Sequence, residues 1–312
     1  GDLASLQADV DKLLKQRTAL DPTVTGLLAR QIRATLNQQG IYNPADRYVK
    51  LPVNFPPLAF KLTVPPHELI VSPRDRIETI RRMTLQPNMD VRQMESVEEQ
   101  VDKLGVSSLV VELGGLGTYP SFVTDDADLR FTAETIAHEW THQYLAFTPL
   151  GIRYVFDVMG VVQNYDIATM NETVANMVGK EISDIVYQKY YPGQGAPPKP
   201  APAFDFNAAM RDIRRAVDQY LAKGDIDQAE AFMEQQRQFL ASKGYYIRKL
   251  NQAYFAFHGT YADSPTSISP IGVELRELRR KSVSLKDFLD TAAVMTSRQD
   301  LQLILQKGST GS

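Results

Sequence analysis

Residues 138–142 read His-Glu-Trp-Thr-His, an H-E-x-x-H pattern. On a helix, residues four apart differ by about 40° in azimuth, so both imidazoles leave one face a single turn apart. Two neutral ring nitrogens placed in this way can bind one Zn2+. Glu139, rotated by about 100° from His138, can reach a water on that ion without becoming a ligand. Zinc lowers the pKa of such a water to about 7, and the glutamate can take its proton as it attacks a carbonyl. Only four histidines occur in the chain, so two at this spacing around a glutamate are a rare accident. Ile136, Ala137, Trp140, Thr141 and Tyr144 carry no charge, which suits a helix buried in the floor of a site. The plain alternative is a helix with two ordinary surface histidines.

A catalytic zinc takes three protein ligands and keeps one position open. The chain has no cysteine, so thiolate ligands are excluded and His or carboxylate must complete the set. A metzincin would have Gly at 145 and His at 148, and the chain has Leu145 and Thr148. His67 and His258 are not on the expected neighbouring helix. The candidate is Glu172, within Asn171-Glu172-Thr173-Val174-Ala175-Asn176 on the next helical stretch, with Asp157, Asp166 and Glu181 as rivals.

H-E-x-x-H followed by a helix bearing N-E-x-x-x-N resembles the gluzincin superfamily of zinc metallopeptidases, which includes thermolysin and many aminopeptidases. The resemblance implies a zincin-like core, Glu172 as third ligand, and a polar residue four positions later, here Asn176, orienting the first histidine. Thermolysin-like enzymes have Asp at that place, and the spacer from Gln143 to Asn171 is longer than in the best-known members. The resemblance is closest over 107–185, softer over 245–300 and weak in the first hundred residues.

Two further segments are similar to a group of bacterial aminopeptidases in this superfamily. The first, Gly114-Gly115-Leu116-Gly117-Thr118-Tyr119-Pro120-Ser121, lies between a β-type run and the metal helix. Gluzincins use an edge strand there to hydrogen-bond the substrate backbone, and Gly114, Gly115 and Tyr119 are the expected contacts. The second runs from Leu250 to Tyr261, where a Tyr or His is expected to stabilise the oxyanion. Tyr261 and His258 lead, with Tyr254 behind them. An exopeptidase that takes the free amino end needs an acidic group beside the reacting carbonyl, and Glu112 is the expected one.

The elements that must position these groups follow from periodicity. Helical patterns are expected over 3–18 and 23–38, short strands within Leu58–Val64 and Glu68–Ser72, mixed helix over 75–104, and a strand over Val106–Leu113. Helices follow over Thr132–Phe147 and Asp166–Tyr190, with a break at Pro149-Leu150-Gly151 between them. Further helices are expected over 206–223, 225–242, 244–258, 269–281 and 285–305. The expected fold class is α+β and mostly helical: a zincin-like catalytic core with a small mixed β-sheet and a C-terminal helical lobe. Residues 1–190 would hold the N-terminal helices, sheet and core. Residues 203–307 would form the lobe packed on the cleft, with a proline-rich loop over 191–202 between them.

The 312 residues are 43% hydrophobic and 23% charged, with a net charge of -3. That balance gives no basic face for nucleic acid. No apolar run approaches the ~20 residues that span a bilayer. The chain begins at Gly1-Asp2 without Met, so an upstream signal or membrane anchor, and an extracytoplasmic setting, are expected alternatives to the cytoplasm. The expected activity is hydrolysis of peptide bonds with one Zn2+ as cofactor and Glu139 as general base, of aminopeptidase type, on a peptide substrate. The competing expectations are a helical scaffold that keeps the fold without turnover, and a metal-dependent hydrolase of another bond.

Overall fold

The structure, a computed structural model, describes residues 3–193, 202 and 204–307. Helix α1 (Leu3–Gln38) is followed by strands β1 (Phe60–Leu62), β2 (His67–Pro73) and β3 (Arg81–Thr84). Helix α2 (Val91–Asp102) leads into β4 (Val106–Glu112), β5 (Gly115–Leu116) and β6 (Ser121–Val123). Helices make up the rest: α3 (Leu129–Leu145), α4 (Pro149–Val158), α5 (Tyr165–Tyr190), α6 (Phe206–Ala222) and α7 (Ile226–Ser242). The last four are α8 (Gln252–Gly259), α9 (Pro270–Lys281), α10 (Leu285–Ala293) and α11 (Arg298–Lys307). The fold is therefore α+β and mostly helical. Two three-stranded sheets occur among the described residues, one mixed with order β1-β6-β5 and one antiparallel with order β3-β2-β4.

The core is built on α3, which lies along α5. Ile136, Ala137, Trp140 and Tyr144 turn to one side of α3 and join Met170, Val174, Val178 and Ile182 of α5, with Leu28, Ile32 and Leu36 of α1. The single tryptophan is fully buried, and its indole N–H donates to the Pro56 carbonyl at 3.0 Å. The antiparallel sheet is covered on both faces. Leu69, Val71 and Val110 meet Met94 of α2, while Ile70, Leu109 and Val111 meet Ala253 and Phe257 of α8. A separate cluster joins α6 to α7 through Met210, Ile213, Val217, Ala229, Met233 and Leu240. No helix among the described residues is long and apolar enough to cross a membrane.

Several elements differ from the sequence expectation. The two N-terminal helices are one, running through Pro22. The first two-thirds of α1 is largely exposed, so the carbonyl that Pro22 leaves unpaired faces water and the helix need not stop. The strand β3 lies inside a stretch expected to be mixed helix. Its sequence, Arg-Arg-Met-Thr, shows no apolar alternation, and pairing with β2 alone defines it. The expected break at Pro149 is the start of α4. Thr148 caps it, accepting from the Gly151 N–H, and Pro149 takes the first turn, where its missing N–H costs nothing. The helix expected over 244–258 begins only at Gln252, because Asn251 is spent as its cap and also donates to the Ser108 carbonyl of β4 at 2.8 Å. The stretch 285–305 splits into α10 and α11, with Asp300 accepting the backbone N–H groups of Thr296 and Ser297. The proline-rich segment at 191–202 falls largely outside the described residues, as does the chain end from 308.

Candidate metal centre

Helix α3 starts at a capped Asp128, whose side chain accepts from the Phe131 N–H. Its apolar residues point into the core, which leaves His138, Glu139 and His142 on the remaining face. Helix α5 starts at Asn164, capping the Ile167 N–H, and carries Glu172 two turns further on. The two helices approach so closely at Gly179 that a Cβ there would sit 2.9 Å from the Glu134 carbonyl oxygen and 3.0 Å from the His138 backbone nitrogen. That contact needs a residue without a side chain, and it sets Glu172 opposite the histidines.

Three donor atoms converge. His138 Nε2 lies 3.0 Å from His142 Nε2, and Glu172 Oε2 lies 3.5 and 3.4 Å from them. A tetrahedral ion with bonds of about 2.0–2.1 Å has its ligands about 3.3 Å apart, which matches these three edges. The side chains are only 10, 12 and 5% exposed. Glu172 Oε2 is buried and has no hydrogen-bond partner within the chain, although its other oxygen accepts from the Tyr154 hydroxyl. An oxygen held between two imidazole nitrogens and otherwise unsatisfied fits a metal ligand. His138, His142 and Glu172 could thus hold one metal ion, and among the described residues they are the group of His and carboxylate side chains able to do so.

The surroundings fix these ligands. His142 Nδ1 donates to Asn171 Oδ1 at 2.7 Å, which leaves its Nε2 lone pair for an ion. The Tyr154 ring stacks on His142 at 5.4 Å. Without an ion, burial lowers the His142 pKa, but the Glu172 carboxylate outweighs it and holds the imidazole at about 9. Glu172 answers in kind: burial raises its carboxyl, and the two histidines pull it well below the usual range. Burial keeps the phenols of Tyr154 and Tyr261 well above their ordinary value, so both remain donors.

All of this opens on a cavity of about 730 Å3, lined by Glu139, Gly115, Leu116, Gly117, Tyr119, Tyr154, Tyr261, Glu68 and Arg82 besides the three ligands. Glu139 is buried against the first sheet. A Cβ on Gly115 would fall within its carboxylate and 2.7 Å from Thr135 Cγ2, so only glycine lets β5 lie over it. Burial raises the Glu139 pKa, with His138 and His142 opposing. β5 is the edge of its sheet and pairs with β6 alone.

The other expected site residues fall in varied places. Tyr261 is in the cavity, its ring centroid 6.2 Å from that of His138. His258 and Tyr254, 4.2 Å apart, line a different and smaller cavity with Tyr165 and Arg214, since they leave the opposite side of α8. Gly114 packs on Phe131, just outside the cavity lining. Glu112 ends β4 with its side chain 81% exposed, 4.0 Å from His67 Nε2 and outside that lining. Asn176 does not turn to His138; its amide donates to Asp263 Oδ2 at 2.7 Å. Of the rival ligands, Asp157 accepts from the Asn164 N–H and Glu181 is gripped by Arg279. Three groups at the site carry no motif signal in the sequence, Glu68, Arg82 and Tyr154, while Asn171 opens the N-E-x-x-x-N stretch without having been given a role in it. Tyr154 could have been reached through Thr148-Pro149, a cap followed by a first-turn proline. No family model matches the chain, and no curated protein or solved structure is significantly similar to it.

Proposed function

We propose that the protein is a zinc-dependent peptide hydrolase of the gluzincin type that removes residues from the free amino end of peptides. The observation that carries this reading is the triangle of His138, His142 and Glu172 with the buried Glu139 carboxylate beside it, roofed by a glycine-rich edge strand. The donor set of two imidazoles and one carboxylate suits zinc. When bound, zinc supplies Lewis acidity that polarises a carbonyl and acidifies a water.

The chain's own residues do the rest. The free edge of β5 holds an extended peptide by backbone hydrogen bonds, and Gly115 and Gly117 let it lie close to Glu139. Glu139 takes a proton from the attacking water on its carboxylate as the oxygen–carbon bond forms. It then gives that proton to the departing amine nitrogen as the carbon–nitrogen bond breaks, so it ends as it began. Its raised pKa improves it as a base near neutral pH. Tyr261, a protonated phenol in the same cavity, donates to the oxygen on which negative charge develops. Glu68, a carboxylate at the cavity wall, receives the substrate ammonium, the role that the exposed Glu112 is badly placed to play.

Protein purified without added metal and then loaded with zinc tests the reading. About one zinc per chain is expected, lost in His138→Ala. Glu139→Gln should keep the zinc and lower peptide cleavage by about 100-fold or more. Cleavage that survives Glu139→Gln, or no zinc uptake at neutral pH, would sink it.

A further inference from the structure

Several arginines of this chain grip a glutamate side-on through the Nε and Nη2 edge of the guanidinium. Arg74 does so on Glu230, Arg279 on Glu181 and Arg298 on Glu274, all at 2.7–3.0 Å. This fork geometry matches a carboxylate and gives two parallel charge-assisted bonds. Arg82 lies in the wall of the metal-site cavity with the same edge unused: Nε and Nη2 are buried and have no hydrogen-bond partner within the chain. Its closest anion, Glu68 Oε2, stands 3.8 Å from Nη1, beyond hydrogen-bond range. The two side chains are 11 and 14% exposed, so neither is a solvated surface charge.

Unpaired charged donors in a protein interior are costly, which makes this guanidinium an exception that needs a partner. Strand register explains how it comes to be there. Ile70 is opposite Arg82 and Glu68 is opposite Thr84, so Glu68 and Arg82 are diagonal neighbours on one face of the sheet, beside α8. We propose that Arg82 is the receptor for a carboxylate carried by the substrate, gripped through Nε and Nη2 while Glu68 holds the substrate ammonium. Because no hydrogen bond fixes the guanidinium, rotation about its terminal torsions brings the fork to the cavity.

This proposal rests on the peptidase reading and names its substrate class. A receptor with its anion and cation side by side requires a substrate whose amine and carboxylate are equally close. An N-terminal Asp or Glu meets that demand, its amine and side-chain carboxylate lying about 3–5 Å apart by bond lengths alone. The free C-terminus of a very short peptide is the second source of the same group.

Two pairs of peptides separate the sources. One pair has N-terminal Glu against Gln with an amidated C-terminus, and the other is a neutral peptide with its C-terminus free against amidated. The zinc-loaded wild type is expected to favour the carboxylate member of one pair by about tenfold or more in kcat/KM. Arg82→Met should bring that ratio to about one, and Arg82→Lys, which keeps the charge without the fork, should retain part of it. Ratios near one in both pairs for the wild type overturn the proposal without any variant. So does an equal loss on both members in Arg82→Met that Arg82→Lys restores, which would mark Arg82 as a mere counter-charge to Glu68 and Glu172. Calorimetric binding of the same pairs needs no turnover. A carboxylate preference in binding with no cleavage would sink the peptidase reading and keep the receptor, while cleavage without any carboxylate preference would do the reverse.

Discussion

The two walls of the metal-site cavity handle buried charge in opposite ways. On the helical wall the three candidate metal ligands are held in place by one another and by their neighbours. His142 is held by Asn171 and stacked by Tyr154, Glu172 accepts from Tyr154, and the three donor atoms face one another within 3.5 Å. On the sheet wall Glu68 and Arg82 stand 3.8 Å apart with no hydrogen bond between them. A spherical ion with short bonds rewards a pre-set triangle, so rigidity there lowers the cost of binding. A peptide brings its own donors and acceptors, and groups that must meet it have to be left unmated. On the proposed reading, the contrast separates a centre suited to a fixed ion from a surface suited to a variable ligand.

The largest expected effect breaks the rigidity of the helical wall. In Gly179→Val the new side chain must push α5 away from the backbone of Glu134 and His138. Overpacking of this kind costs about 1–3 kcal/mol of stability, read from denaturant unfolding of the metal-free protein. The same displacement moves Glu172 away from the histidines, and metal affinity should fall by about 100-fold. A destabilised variant with unchanged metal affinity would show that the close approach at Gly179 does not set the triangle.

A second test asks what an ion must displace. The pKa of His142 is raised from 6.5 to about 9, so in the metal-free protein its ring is protonated at pH 7 and paired with Glu172. An ion needs the neutral ring, and its binding at pH 7 must release about one proton. Affinity should therefore weaken about tenfold for each unit that pH falls below about 9, and level off above it. Titration calorimetry in buffers of different ionisation enthalpy counts the proton directly. Zero protons released at pH 7 would mean that the ring is already neutral and the paired description of this wall is wrong.

The two walls also differ in how far they can be read from the residues. His138, Glu139 and His142 fall within five positions, and helix geometry alone places them on one side. Glu172 is 30 residues from His142, yet it rides a strongly patterned helix, and the N-E-x-x-x-N resemblance points to it. Within that motif the second role shifted by several positions: Asn171, not Asn176, holds a histidine of the candidate triangle. Neighbouring polar residues on a helix compete for one contact, and only the packing of α3 on α5 decides between them. Glu68 and Arg82 had no such local signal. They meet only because β3 pairs with β2 in one register, and a slip of one residue would turn Arg82 to the other face. A four-residue strand with two arginines gives no periodicity from which that pairing could be inferred.

The smallest expected effect places the two candidate carboxylates for a substrate ammonium in direct competition. Glu112 is in the right stretch of sequence, just before the glycines, but β4 ends there and its side chain is 81% exposed. In high dielectric an ion pair with it would contribute under about 1 kcal/mol. Glu68 sits at the cavity wall, where burial raises its pKa, Arg82 lowers it and Glu172 raises it further. An incoming ammonium in that low-dielectric setting is a stronger partner, and it supplies the charge that keeps Glu68 ionised. Glu68→Gln is therefore expected to lower kcat/KM on free-amine peptides by about tenfold while leaving N-acetylated peptides little changed. Glu112→Gln should move neither. If Glu68→Gln lowers both classes alike, the carboxylate serves to hold Arg82 rather than the substrate. The sheet wall would then be a charge pair of the scaffold, with recognition left to the edge of β5.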